Sequence, residues 1–248
     1  MIVQQYRSEK IHNRAVAGWA GRKRMTIQTV EPDDQPLAEK VASTIREMLI
    51  DGDLAPGEKL SEQQVASLFG ISRNTLREVF RLLTSQGLLT HIPNRGVFVA
   101  APDEISVIDI YRVRRVIQLG AVRSASRGHP ALARMSSLVA EAKDAQKDGD
   151  WRRVGTINME FHRAMVELSD SPRLNACFEM VLAELRLVFG QLDNNAHLHE
   201  PFVDLNASLV TLLEADRTVE AIERLEAYLL RSERMVLAAL QRRADQAR

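Results

Sequence analysis

The sequence lacks most features of secreted and membrane proteins. Cys177 is its only cysteine, so no disulfide can form within the chain, which suits a reducing cytosol. Nowhere do about 18 apolar residues follow one another, as a membrane-spanning helix requires. Residues 1–24 carry scattered charges where a signal peptide would have a continuous apolar segment. These absences predict a soluble cytoplasmic protein that does not use a membrane as a partner.

The sequence also lacks an excess of one charge and the motifs of common enzymes. Lys plus Arg and Asp plus Glu number 33 each, so any nucleic-acid-binding surface must be local. There are no two Glu-x-x-His motifs for a di-iron site, no glycine-rich phosphate loop and no convincing base for Cys177. We therefore expect no enzyme activity and no catalytic residues.

The chain divides into three parts by composition and periodicity. Residues 1–36 are polar and patternless, which predicts a flexible basic arm, and Met25 is an alternative start that would remove most of its basic residues. Amphipathic repeats begin after Pro36 and change character after Pro102. We therefore expect one domain over residues 37–101 and a second over residues 102–248.

Residues 37–101 contain three predicted helices followed by two predicted strands. Serines that can cap helices and glycines that can end them mark the helix boundaries at Gly52, Ser61, Gly70, Ser72 and Gly87. The strands, Leu88 to Ile92 and Val97 to Ala100, are joined by the turn PNRG, and LAPGEKL between the first two helices is a turn with a short extended piece. This order predicts a winged helix-turn-helix.

The third helix carries three arginines, Arg73, Arg77 and Arg81, which the four-residue spacing places on one flank. In a winged helix-turn-helix the start of this helix reaches base edges in the major groove, where arginine can pair with guanine. We expect Arg81 to meet the DNA backbone or solvent. The predicted DNA-binding residues, including the hairpin tip, are Ser72, Arg73, Asn74, Thr75, Arg77, Arg95 and Gly96. A winged helix used for protein contacts is the alternative, favoured by the balanced charge of the domain.

After Pro102 the sequence shows long amphipathic segments with almost no strand signal. They predict an all-helical bundle with helices at about 103–127, 130–148, 150–169, 172–193, 200–215 and 217–245. The predicted fold class is therefore mainly α, with an N-terminal winged helix-turn-helix followed by an all-α helical bundle.

The segment LSEQQVASLFGISRNTLREVFRLLTSQGLL, followed by PNRGVFV, strongly resembles the DNA-binding domain of GntR-type bacterial transcription regulators. The elements SR-x-T-LRE, LL-x-x-x-GL and the RG of the wing occur at that family's spacing. Gln63 is a departure, because many relatives have Arg there and can contact phosphate or base. The domain order resembles the FadR-like subfamily with an all-helical, FCD-type ligand-sensing domain. The resemblance implies a homodimer that binds a palindromic double-stranded DNA operator and responds to a metabolite.

The same resemblance indicates a sensor site. In INMEFHRAMVELSDSPRL the family has Asp and His four residues apart, where this chain has Asn158 and His162. Two further family histidines fall at Asn206 and Tyr228, although a shift of one residue would offer Leu205 or Ala227 instead. Amide oxygens and a protonated phenol are poor ligands for zinc, nickel or manganese. We therefore expect a degenerate metal site, with no metal and no cofactor.

The stretch YRVRRVIQLGAV resembles the first sensor helix, in which an Arg and a Glu face the cavity, and the matching positions are Arg114 and Gln118. A buried guanidinium needs a partner, either a ligand carboxylate or phosphate or an Asp or Glu of another helix. The predicted effector-binding residues, for a small acidic metabolite, are Arg114, Gln118, Asn158, His162, Asn206 and Tyr228. For His162 the alternative is a satisfied core histidine.

His197 and His199 could supply replacement metal ligands, but their place between two predicted helices favours exposed loop histidines. The predicted function is a DNA-binding, metabolite-responsive transcriptional regulator that acts as a repressor. The alternatives are a helical-bundle enzyme and an oligomerisation scaffold that does not bind DNA.

Overall fold

A computed structural model describes residues 36–192 and 196–246. The arm predicted for residues 1–36 lies outside these ranges, apart from Pro36. Contacts within the chain define two units. The first comprises the described residues up to Leu49 together with Asp53–Ala100, and the second comprises Ile50–Gly52 and the residues from Ala101 onward.

The first unit contains three helices and a small antiparallel sheet. Its elements are α1 (Leu37–Ile50), β1 (Lys59–Leu60), α2 (Glu62–Phe69), α3 (Arg73–Ser85), β2 (Leu89–Ile92) and β3 (Gly96–Val99). The apolar stripes of the three helices form its core, where Val41, Ile45, Val65, Leu76 and Leu83 have no exposed surface.

The local signals in the sequence set the boundaries of α2 and α3. The Ser61 side chain accepts a hydrogen bond from the Gln64 amide at 3.4 Å, and Gly70 ends α2 with φ of 63°. Ser72 then caps α3, because its Oγ accepts the Thr75 amide at 3.1 Å. Only glycine adopts the left-handed conformation of Gly70 without strain, so the turn between the two helices depends on it.

The sheet has the strand order β1-β3-β2, with both pairings antiparallel. In the β2–β3 hairpin Ile92 pairs with Gly96, and the turn places Asn94 at φ of 62°. The short extended piece predicted before α2 is the edge strand β1, in which Lys59 lies opposite Phe98. The hairpin and its edge strand form the wing beside the helix-turn-helix.

The second unit is helical throughout its described residues. It contains α4 (Glu104–Arg123), α5 (Pro130–Lys147), α6 (Trp151–Glu167), α7 (Pro172–Gly190), α8 (Ala196–Glu214) and α9 (Thr218–Gln246). Its main core cluster draws on five of these helices and includes Val122, Met135, Phe161, Leu209 and Leu225. The fold class predicted from the sequence, mainly α with a winged helix-turn-helix before a helical bundle, is confirmed. No helix within the described ranges is long and apolar enough to span a bilayer.

Candidate DNA-binding surface and ligand pocket

The α3 helix buries one face and leaves its arginine flank in solvent. Its buried residues are Leu76, Val79, Phe80 and Leu83. Arg73, Asn74, Arg77 and Arg81 are exposed, and Thr75 is half-buried. The predicted row of side chains therefore lies on one accessible surface at the start of the helix, as major-groove contact requires.

Two of the predicted DNA-binding hydroxyls already have partners. Ser72 Oγ accepts the Thr75 amide and lies 2.9 Å from Thr75 Oγ1, so the two hydroxyls share a hydrogen bond. Arg77 Nε lies 3.8 Å from Glu62 Oε2 of α2, with both side chains well exposed. An ion pair this exposed contributes little to folding, and the guanidinium can exchange Glu62 for a nucleic-acid acceptor.

The wing carries a cationic cluster that the sequence analysis identified only in part. The exposed Arg95 guanidinium lies 5.8 Å from the centre of the Phe98 ring, and Lys59 Nζ lies 5.9 Å from the same ring. Gly96, with φ of 107°, leaves room for the Lys59 side chain, which a β-carbon would meet at 3.4 Å. Lys59 was missed because a two-residue strand has too little alternation to show which face a side chain occupies.

Five of the predicted sensor residues form one chain of hydrogen bonds, buried from Arg114 to Tyr228 and half-buried at Asn158, and the sixth joins its far end. Arg114 Nε donates to Gln118 Oε1 at 3.2 Å, and Gln118 Nε2 donates to His162 Nδ1 at 2.7 Å. His162 Nε2 lies 2.9 Å from the Tyr228 hydroxyl, which donates to Asn158 Oδ1 at 3.4 Å. Asn206 Nδ2 donates to the same Asn158 oxygen at 2.9 Å. The sequence register that pairs Asn206 with Tyr228 therefore brings these side chains together.

The chain of hydrogen bonds determines the tautomer of His162. Gln118 accepts from Arg114 through its oxygen, so its amide nitrogen faces His162 and can only donate. His162 Nδ1 therefore accepts, and its proton lies on Nε2. Burial, with a further contribution from the Arg114 charge, lowers the pKa of His162 well below its ordinary value. The imidazole is thus neutral, as the hydrogen bonds require.

Arg114 has an unusual environment for a buried cation. Its side chain is 1% exposed, and its guanidinium carbon lies 4.8 Å from the centre of the Tyr111 ring. Among the described residues no Asp or Glu forms an ion pair with Arg114. The alternative prediction, that a carboxylate from another helix pairs with it, is therefore not observed there. Gln118 and Tyr111, which Arg114 contacts, are neutral groups, and the Tyr111 hydroxyl in turn lies 2.6 Å from Ser232 Oγ.

The donor set does not fit the metal that the family resemblance would imply. Both nitrogens of His162 are hydrogen-bonded within the chain, and Asn158 Oδ1 accepts from two donors. Burial raises the pKa of the Tyr228 phenol, which therefore keeps its proton and cannot act as a phenolate ligand. Within the described ranges no cluster of three or more His, Cys, Asp or Glu side chains could hold a metal ion.

A small pocket opens beside this chain of hydrogen bonds, between α5, α6 and α8. It is small, with a cavity volume of about 10 Å³, which has room for the centre of about one water molecule. Asn158 and Asn206 line it together with His199 and apolar side chains, whereas Arg114, Gln118, His162 and Tyr228 do not. Asn206 Oδ1 and His199 Nε2 are buried without a hydrogen-bond partner, so the pocket offers polar atoms that can bond to a ligand.

His199 corrects one expectation from the sequence. It was expected in an exposed loop, but α8 begins at Ala196, one turn before the predicted start, and His199 is 2% exposed. Proline is tolerated best in the first turn of a helix, yet Pro201 lies inside α8. The extra turn packs His199 against Phe189, with ring centres 5.0 Å apart. The side chain of His197 lies outside the described residues.

A glycine makes the burial of His199 possible. A β-carbon on Gly155 of α6 would lie 2.9 Å from His199 Nε2 and 2.8 Å from an Arg186 nitrogen. Burial, and secondarily the charge of Arg186, lowers the pKa of His199 to about 4. His199 is therefore a second neutral, buried histidine in this unit.

Comparison with known proteins identifies the class that the two units define. Residues 37–99 match the profile of bacterial regulatory proteins of the gntR family, and residues 109–232 match the FCD domain. The chain belongs to the GntR family of bacterial transcriptional regulators and carries a FadR-like, FCD-type second domain. The family expected from the sequence is confirmed.

Individual relatives agree with this assignment. A crystal structure of a transcriptional regulator GntR from Rhodococcus sp. RHA1 is 33% identical, with a TM-score of 0.74 over 82% of this chain and 98% of that one. The HTH-type transcriptional regulator YdhC of Bacillus subtilis (strain 168) is 28% identical over 55% of this chain and 62% of its own length. The HTH-type transcriptional repressor RspR of Escherichia coli (strain K12) is 30% identical over 41% of this chain and 45% of its own. The matched stretch thus spans less than two thirds of these two curated relatives.

Proposed function

We propose that this protein is a homodimeric repressor that binds a palindromic operator in the bacterial cytoplasm and is controlled by a small carboxylic acid in its FCD domain. The observation that carries the effector part of the proposal is the buried Arg114 guanidinium, which forms no ion pair among the described residues and heads a chain of hydrogen bonds leading to a pocket. The repressor role is supported by the relative RspR, which is named a repressor.

The DNA-binding part follows from the exposed start of α3. One helix-turn-helix per chain contacts one half-site, so two copies related by a two-fold axis suit a palindrome. Arg73, Asn74 and Arg77 supply base contacts, and Ser72 with Thr75 holds the start of the helix in position. Arg95 and Gly96 approach the backbone or minor groove from the wing, and Lys59 adds a second cation there.

The acid is expected to bind at Arg114, which has no carboxylate partner among the described residues. A carboxylate that reaches Arg114 would form a charge-assisted pair in a buried setting, which is stronger than the present bond to the neutral Gln118 oxygen. Asn158 and Asn206 lie at the pocket end of the chain, so a ligand entering there meets amides first. Because the described arrangement is closed around Arg114, binding must shift Gln118 and its neighbours.

This shift provides a physical route to regulation. A ligand changes DNA affinity only if it binds the two states of the protein unequally. Moving Gln118 breaks its bond to His162, and the effect passes through Tyr228 to Asn158 on α6 and Asn206 on α8. Coupling free energies of this kind are typically about 1 to 3 kcal/mol, or about 5- to 150-fold in affinity.

Thermal shift with a panel of small carboxylic acids and acyl-CoA esters tests the proposal. At least one acid should raise the melting temperature of the wild type but not that of Arg114→Met, which replaces a buried charge by an apolar side chain of similar length. Arg123→Met, an exposed arginine at the end of the same helix, is the matched control and should respond as the wild type does. An acid that stabilises Arg114→Met as much as the wild type would refute the assigned site.

A further inference from the structure

The α4 helix presents apolar side chains to solvent on the side away from its core. Ile105 and Val116 are each 77% exposed, the largest values among the exposed large hydrophobic residues of the described chain. Asp109 and Arg112, both exposed, lie between them. Successive α-helical residues are about 100° apart, so these four side chains fall within an arc of about 60° on one face. We call these four residues the α4 face.

Asp109 and Arg112, the two charged members of the α4 face, lie about one turn apart but form no ion pair with each other. Within residues 36–192 and 196–246 neither Asp109 nor Arg112 takes part in an ion pair. Asp109 instead lies near Glu184 of α7, and burial of Glu184 together with the Asp109 charge raises the pKa of that glutamate to about 7. A positive charge from outside the described chain would therefore reduce the repulsion between these two neighbouring carboxylates.

The order of residues on the α4 face makes it complementary to itself. Along the helix the face reads Ile105, Asp109, Arg112, Val116, with spacings of four, three and four residues. If a second α4 lies antiparallel across a two-fold axis between Ile110 and Tyr111, Ile105 meets Val116 and Asp109 meets Arg112, twice each. The same register sets the half-buried Ile108 against Val113 at the edges of the face. A two-fold interface requires this correspondence of residue i with j and of j with i.

We propose that a second copy of this chain covers the α4 face, with the two α4 helices antiparallel and in the register that pairs residue 105 with residue 116. The proposal rests on the homodimer proposed above and specifies its surface. A second copy is favoured over a different protein because the same helix, run antiparallel, places an apolar residue opposite each apolar residue and an opposite charge opposite each charge. The apolar contacts supply burial, and the two Asp109–Arg112 pairs fix direction and register.

Cysteine cross-linking tests the register. In a Cys177→Ser background, Ile105→Cys chains mixed with Val116→Cys chains should form a disulfide dimer on mild oxidation. Each variant alone should not, because the two copies of residue 105 would be about 16 Å apart along the helix axis, beyond disulfide reach. The exposed Cys177 must be removed because it could react by itself.

The outcomes separate this face from the homodimer itself. A dimeric mass in ultracentrifugation without the mixed cross-link, or with equal cross-linking of Ile105→Cys to itself, would overturn the register while leaving the homodimer standing. A monomeric mass at micromolar concentration, with and without operator DNA, would overturn both. A mixed cross-link confined to the 105–116 pair supports the proposal.

Charge exchange gives an independent readout of the same contact. Arg112→Asp should raise the dimer dissociation constant roughly tenfold or more, because it places like charges opposite one another twice. Adding Asp109→Arg to the same chain should restore the affinity by exchanging the two signs, and Arg153→Asp, at an exposed position on α6, is the control. The pairing would be refuted if the double variant did not regain its dimer affinity although its circular dichroism showed that its helices were intact.

Discussion

Arg77 and Arg81 lie one turn apart on the exposed flank of α3, yet their positions predict different contributions to DNA binding. Arg77 is in the first two turns, which enter the groove most deeply, whereas Arg81 is further along the helix. In the protein without DNA, Arg77 makes an exposed contact with Glu62, so its replacement should not unfold the domain.

Arg77→Ala should therefore cost about 1 to 3 kcal/mol of binding to the specific operator and relax the preference at one base pair. Arg81→Ala should have a smaller effect that is uniform across DNA sequences. Fluorescence anisotropy with the operator and with single-base variants measures both. Unchanged operator affinity in Arg77→Ala would remove this residue from the set that contacts bases.

The two buried histidines make stability depend on pH. Both pKa values are lowered mainly by burial, that of His199 to about 4. In the unfolded chain a histidine binds a proton near pH 6.5. As the pH falls below that value, the unfolded state takes up protons that the folded state does not, so the free energy of unfolding decreases.

For His199 the difference between about 4 and 6.5 predicts a loss of about 2 kcal/mol between pH 7 and pH 5. His199→Gln should remove this part of the loss, and His91→Gln, an exposed histidine, serves as the control. Urea denaturation followed by circular dichroism at the two pH values measures it. A His199→Gln protein with the pH dependence of the wild type would show that His199 is not buried as a neutral imidazole.

The same side chains argue against a bound transition metal. Protein purified without chelator should contain far less than one zinc, nickel or manganese per chain, because His162 is the only strong ligand among Asn158, His162, Asn206 and Tyr228. Elemental analysis measures this directly. About one metal ion per chain, absent from His162→Ala, would show that the donor set has been misassigned.

The sequence predicted residues well where a motif fixed their spacing. Helical spacing and the family register together predicted that four side chains lie close together on facing helices. Hydrogen bonds join these residues, Asn158, His162, Asn206 and Tyr228. Tyr111 lies three residues before Arg114 on the same helix, so that contact is local, but its hydrogen bond to Ser232 of α9 depends on how the helices rotate about their axes. That rotation is set by the packing of the whole core and by no local pattern.

The wing is a small element that concentrates positive charge on one side. Lys59 of β1 and Arg95 of the turn flank the same aromatic ring, although they are far apart in sequence. Their side chains are suited to phosphate contacts, which fix position without reading bases. The wing should therefore add to affinity for any DNA sequence.

Lys59→Ala and Arg95→Ala should each weaken binding to specific and unspecific DNA by similar factors. Each should also reduce the slope of log affinity against log salt concentration by about 0.9, the value expected when the protein neutralises one phosphate fewer. Thr90→Ala, an exposed and uncharged position on β2, should leave the slope unchanged. A normal salt slope in the double variant would exclude the wing from DNA contact.

Helix and strand boundaries were predictable to different degrees. The limits of α2 and α3 followed from Ser61, Gly70 and Ser72, where cap chemistry is local. The start of α8 did not, because the predicted start at about residue 200 was one turn too late and the packing of His199 against Phe189 is a tertiary contact without a local signal. The strand β1 exists only because β3 pairs with it, so no local signal could define its length.

In the proposed function, an acid bound in one unit must affect DNA held by the other. Each half-site contact is modest, and a dimer gains affinity because the second half-site is bound at a high effective concentration. An effector that changes how two copies present their α3 helices can therefore act strongly on operator binding without touching DNA. The register proposed for the α4 face would give the two copies the fixed arrangement that such a mechanism needs.

The most direct test is the operator affinity of the wild type and Arg114→Met, each with and without an acid that raises the wild-type melting temperature. Fluorescence anisotropy would use the protein's own promoter fragment and a scrambled duplex of equal composition. The wild type should prefer the promoter fragment, and acid should change its affinity by about 5- to 150-fold. Arg114→Met should bind the promoter fragment as tightly as the wild type does without acid, and acid should not change its affinity. Equal binding of the wild type to both duplexes, or a normal acid response in Arg114→Met, would contradict the account.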